Sequence, residues 1–116
     1  MTQKTQYRVY LVSYPFDAVE TTQVRPMVAL TDPAGKENML MLAPIQSNIN
    51  TDVLATDILL TEHLDFLGLK EKSILHLGIL ITLPVEKLRR ELGYVPKYLR
   101  QEIHKKLADV FGLEIT

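Results

Sequence analysis

Apolar and polar positions alternate from Tyr7 to Tyr14, with Val9 and Leu11 set against Arg8 and Tyr10. A period of two over so short a run predicts a half-buried strand. The Tyr14-Pro15-Phe16 step ends it, because proline cannot donate to a ladder. A second strand is expected from Met27 to Thr31, closed by the turn residues Asp32-Pro33-Ala34-Gly35. The third, from Asn38 to Ile45, makes a hairpin with it. Gln46 to Leu54 is polar and reads as a loop. Thr56 to Leu60 is a fourth strand, and Glu62 to Lys72 another loop. Ser73 to Leu83 is apolar and partly β-branched, which predicts one long central strand.

After Pro84 the period becomes helical. Val85, Leu88 and Leu92 share one face, and Gly93 is expected to stop that short helix. Pro96 then opens a last helix at its first turn, where its missing N–H costs nothing. Leu99, Ile103, Leu107 and Val110 form its apolar stripe, and Gly112 ends it. About five antiparallel strands followed by two helices predict a mainly β, α+β fold: a small, strongly bent sheet or barrel with helices packed on it. The expected core is Val9, Leu11, Val28, Leu30, Leu40, Leu42, Ile58, Leu60, Ile79, Ile81, Leu99, Ile103 and Leu107.

A chain of 116 residues makes one domain, taken as 1–116. It has no cysteine. That excludes a disulfide scaffold, a thiolate nucleophile and a cysteine metal site, and it suits a reducing compartment. Met1 to Tyr7 lacks the apolar core of a signal peptide. The longest apolar run, Ile74 to Val85, contains His76 and is too short to span a bilayer. A soluble cytoplasmic protein without a membrane partner is expected. Net charge is −1, split as −3 over residues 1–70 and +2 over residues 71–116. No broad basic field is available, so any action on nucleic acid must rest on a few placed residues.

Three segments carry candidate chemistry. They are Tyr14-Pro15-Phe16-Asp17, Arg25-Pro26-Met27-Val28-Ala29-Leu30, and Leu42-Ala43-Pro44-Ile45-Gln46-Ser47. Arg25 is a permanent cation at the rim of the β-structure, and a guanidinium is well shaped for phosphate. Together these segments resemble the MazF/PemK/Kid family of RNA-cleaving toxins, over about Tyr7 to Gly112. The resemblance implies an SH3-like barrel and a metal-independent, sequence-specific endoribonuclease of a type II toxin–antitoxin module. It further implies single-stranded mRNA as substrate, no cofactor, a homodimer whose groove the RNA crosses, and a cognate antitoxin.

The resemblance puts Arg25 in the active groove as the catalytic cation. The family threonine that assists at the scissile phosphate is replaced by Gln46, which donates hydrogen bonds but cannot shuttle a proton. Ser47 keeps a hydroxyl one position on, so it is the candidate catalytic hydroxyl; neighbours on a strand face opposite ways. His76 stands in the strand where family members carry a polar residue, and Gly78 and Ile79 occupy the family's aspartate and lysine places. His76 reads either as an acid–base group or as a structural histidine. Asp17, Gln46 and Thr56 are candidate RNA contacts, with Asp17 placed to orient Arg25 or to cap its own turn. Thr56-Asp57 matches a family step and reads as structural. His63 and His104 have no partner at ligand spacing, and no metal site is expected. The alternative function is a family-fold member that has lost catalysis and acts as a binding module or an interaction scaffold.

Overall fold

A computed structural model of the protein describes residues 4–15 and 22–114. Phe16 and Asp17 lie outside the described residues. Seven strands and two helices follow in the order β1 (Arg8–Pro15), β2 (Thr22–Ala29), β3 (Met39–Gln46), β4 (Asp57–Leu60), α1 (Leu64–Leu67), β5 (Ser73–His76), β6 (Ile81–Pro84), β7 (Leu88–Tyr94) and α2 (Lys97–Val110). Every pairing is antiparallel, along the path β4-β5-β3-β2-β1-β7, with β6 set against β3. The mainly β class with helices is therefore as expected. The number of strands is larger than five, and the strand path is open.

Two expected elements are corrected. The run from Ser73 to Leu83 is not one strand. Its first part, β5, pairs with the end of β3 through Ile45↔Leu75, and its last part, β6, pairs with the start of β3 through Leu40↔Leu83. The register differs between the two, so Leu77 to Leu80 turns out of the ladder. Ile79 sits in that turn and is 53% exposed, which removes it from the core. The segment from Val85 to Leu92 is not a helix either. A single 3₁₀ turn, Val85–Lys87, leads into β7 on the edge of β1. Two register shifts in the β1–β7 ladder, of the kind β-bulges produce, break the alternation. Leu88 and Leu92 therefore pack into different apolar clusters instead of sharing a helical face.

The two clusters occupy opposite faces of the sheet. Val9, Val28, Ala43 and Ile45 meet Leu67, Leu99 and Ile103 from the helices on one face. Tyr10, Val12, Met27, Ala29, Leu40 and Leu42 pack on the other, covered by Ile81, Leu83 and Val85. Leu11, Ile81 and Leu107, expected to be fully buried, are only half-buried. The loop expected from Glu62 to Lys72 contains α1. Its C-terminal Gly68 has φ +74°, and a Cβ there would lie 2.1 Å from the Leu92 carbonyl oxygen. Gly93 does not end a helix. It lets β7 pass against α1, since its Cβ would meet the Phe66 carbonyl oxygen at 2.2 Å. Pro96 is the N-cap of α2 rather than its first-turn residue. Gly112 closes α2 as expected: its N–H bonds Asp109 and that of Leu113 bonds Ala108, a Schellman pattern.

The hairpin reversal falls at Gly35 to Asn38, later than expected, with Ala34 bridged to Met39. This frees Asp32 for another task. Its carboxylate accepts the N–H of Thr5 at 2.7 Å and of Gln6 at 2.9 Å. The bonds from Gln6 and Thr5 hold the Asp32 carboxyl below its ordinary pKa. A depressed native pKa stabilises the fold above the ordinary aspartate pKa, and the contribution fades as pH falls through the native value. Asp32→Asn should therefore be less stable than wild type at neutral pH, and the gap should close in acid, as followed by thermal melting at several pH values. A gap independent of pH would contradict this role.

Candidate active site

β3 ends where two partners separate. On one edge it pairs with β2 through Met27↔Pro44, and the next residues turn to β5 through Ile45↔Leu75. Counting on along both strands sets Arg25 across from Gln46. Alternation puts Arg25 on the face of Met27 and Ala29, and Gln46 on the face of Leu40 and Leu42, which is the same face. His76 follows from the β3–β5 register, two residues beyond Ile74, the partner of Gln46. Asp57 lies directly opposite His76 in the β4–β5 ladder.

The side chains of three of these residues bond to one another. His76 Nδ1 lies 2.9 Å from Asp57 Oδ1, and His76 Nε2 lies 2.8 Å from Gln46 Oε1. The other Asp57 oxygen accepts the Leu54 N–H at 2.8 Å. The Asp57 side chain is only 1% exposed, against 13% for His76. A buried carboxylate needs donors on its oxygens, and Asp57 has one on each. Its demand fixes the Nδ1–H of the imidazole. The Gln46 amide is oriented by its nitrogen, which donates to the Asn48 carbonyl at 3.2 Å and contacts Thr51 Oγ1 at 3.4 Å. Both ring nitrogens thus face oxygen acceptors, so a proton carried on either can be donated. Such a ring can act as a proton donor through Nε2, held in place from behind by Asp57.

The other sequence candidates are placed as follows. Arg25 is exposed on β2, and one guanidinium nitrogen donates to Gln23 Oε1 at 3.2 Å. Ser47 is exposed and does not join the Gln46–His76–Asp57 group. It lines a cleft of about 290 Å³ with Leu11, Pro26 and Arg90, on the opposite face of the sheet. Thr56 is half-buried beside Asp57, packed so closely on the backbone of Gly78 that a Cβ there would come within 2.6 Å of its hydroxyl. Asp17 lies outside the described residues. His104 bonds the Tyr7 hydroxyl, and His63 stacks on Phe66. Two further residues join the site without a sequence signal for it: Asp57, whose motif points to a structural role, and Tyr14, which packs against the cluster on the Arg25 face. Among the described residues no group of three or more His, Asp or Glu could hold a metal ion, and no helix is long and apolar enough to cross a membrane.

Residues 5–111 match the family model of the PemK-like, MazF-like toxin of type II toxin–antitoxin systems. The chain belongs to this toxin family. No curated protein matches it. Among solved structures, the Mycobacterium tuberculosis toxin MazF-mt6 is similar with a TM-score of 0.73 at 20% identity, covering 93% of this chain and 99% of that one. A mycobacterial endoribonuclease in complex with its cognate antitoxin has a TM-score of 0.74 at 16% identity, covering 98% and 100%. A MazE–MazF structure from Deinococcus radiodurans has a TM-score of 0.72 at 18% identity, covering 96% and 98%. At these identities the likeness is one of fold, and it extends over nearly the whole toxin chain.

Proposed function

We propose that this toxin is an endoribonuclease that cleaves single-stranded RNA, chiefly mRNA at short sequences, without a metal ion. The observation that carries the reading is the Asp57–His76–Gln46 group on the sheet face that presents Arg25, in a chain of this family. The 2′-oxygen attacks phosphorus and its proton passes to solvent. The P–O5′ bond breaks as O5′ takes the proton from His76 Nε2. The products are a 2′,3′-cyclic phosphate and a 5′-hydroxyl. Arg25 neutralises the charge that builds on the phosphoryl oxygens. Asp57 keeps the imidazole in position, as the carboxylate does behind a catalytic histidine. Gln46 holds the Nε2 proton until the substrate replaces it, and Tyr14 offers a ring on which an unpaired base can stack. Ser47 has no part in this step. Asp17 and Thr56 serve as contacts to flanking nucleotides. A homodimer, a cognate antitoxin and a cytoplasmic site of action complete the proposal, supported by the antitoxin complexes of the fold relatives.

One observation favours a second reading, an inactive binding module: the outward nitrogen of His76 is already occupied by Gln46. A pH profile decides between them. With His76 as the proton donor, RNA cleavage should fall as pH rises, and that dependence should vanish in His76→Gln. Asp57→Asn should lower the rate and shift the profile without removing it. An unchanged profile in His76→Gln would reject the donor role, and absence of any wild-type cleavage would favour the binding module.

A further inference from the structure

A second cleft, of about 240 Å³, opens between the end of β4 and the first turns of α2. Leu60 and Leu99 in its lining belong to the helix-covered cluster, while Leu59 alternates onto the face of Asp57, so the cleft straddles the outer edge of β4. Its floor is apolar and its rim is acidic. Leu59 points outward because Ile58 and Leu60 on either side of it point into the core, and it is left 47% exposed. Tyr98, equally exposed at 47%, stands one helical turn before Glu102 on the same face of α2. Glu62 closes the other side. The aromatic surface continues beyond the cleft. His63 meets the Tyr98 ring edge-on at 5.6 Å and stacks on Phe66 at 5.6 Å.

Among the described residues neither Glu62 nor Glu102 is paired with a lysine or arginine. Both act on the Tyr98 phenol, whose pKa is raised first by desolvation and then by these two carboxylates. Two unpaired carboxylates beside an exposed aromatic ring and an exposed leucine suit one kind of group: a cation on an aliphatic stem. A guanidinium fits better than an ammonium, because it can stack on the ring and still hydrogen-bond a carboxylate. RNA, a polyanion, is repelled here.

We propose that this cleft is a docking site for a protein segment that presents an arginine between apolar residues, with the guanidinium between Glu62 and Glu102 over Tyr98. Its lining includes none of Arg25, Gln46, Asp57 and His76, and the proposal does not depend on the nuclease reading. The test is titration of the ¹⁵N-labelled protein with acetyl-Leu-Arg-Leu-amide, with glutamine and glutamate versions of the peptide, and with a short oligouridylate. The arginine peptide should move the amide signals of Leu59, Tyr98 and Glu102 and bind about tenfold more tightly than the glutamine peptide, in line with two exposed ion pairs. The Glu62→Gln/Glu102→Gln double variant should erase that preference, and both side chains are exposed, so its spectrum should otherwise match wild type. Equal binding of the arginine and glutamine peptides overturns the proposal. So does a preference that survives in the double variant, self-association through these residues, or oligouridylate shifting the same signals.

Discussion

Arg25→Ala lowers the rate of RNA cleavage by about 10²–10³-fold and leaves the melting temperature near that of wild type. The size is that of removing one fixed donor aimed at the charge of a transition state. The selectivity comes from placement. Arg25 is exposed on β2, while Met27 on the same face is fully buried, so the guanidinium stands where the apolar cluster gives way to solvent. Truncating it removes no core volume. Arg25→Lys should recover only part of the loss, because a single ammonium cannot grip two phosphate oxygens in parallel. Single-turnover cleavage of a labelled RNA, with a melt of each variant, measures both quantities. Full activity in a normally folded Arg25→Ala protein would remove Arg25 from the mechanism.

Ile103→Ala lowers stability by about 2–5 kcal/mol, the usual range for emptying a fully buried aliphatic site. Ile103 is 0% exposed and belongs to the cluster that joins α2 to Ile58, Leu60, Leu75 and Leu77. Ile58, Leu60 and Leu75 cannot collapse into the void without breaking ladder pairs of β4 and β5, so most of the cavity should remain. Urea denaturation followed by circular dichroism reads the change as a lower midpoint at constant slope. A loss below about half a kcal/mol would place Ile103 at the surface. Because the two residues lie on opposite faces of the sheet, the two variants should separate catalysis from stability.

α2 was legible in the sequence because its signal is local. Leu99 and Ile103 repeat on one helical face, and Gly112 supplies the positive φ its end requires. β7 was not, since its side-chain pattern depends on bulges imposed by β1. The spacing of Leu88 and Leu92 suits a helix, yet the two serve opposite faces of a sheet. The break between β5 and β6 was hidden for a similar reason: an unbroken apolar run does not record where its partner strand changes register. The site divides along the same line. Arg25, Gln46 and His76 could each be singled out by residue type and motif. That Asp57 stands behind His76 is a fact of cross-strand register between residues 57 and 76, which only the paired sheet reveals. The same parity explains Ser47, whose place after Gln46 sends it to the other face.

The central claim is that this toxin cleaves RNA through its own side chains. Incubation of the wild-type protein with single-stranded RNA in excess metal chelator, followed by analysis of the product ends, tests it most directly. Fragments ending in a 2′,3′-cyclic phosphate and beginning with a 5′-hydroxyl, formed as fast with chelator as without, are the predicted result. RNA left intact under every condition, or cleavage that the chelator abolishes, would contradict it.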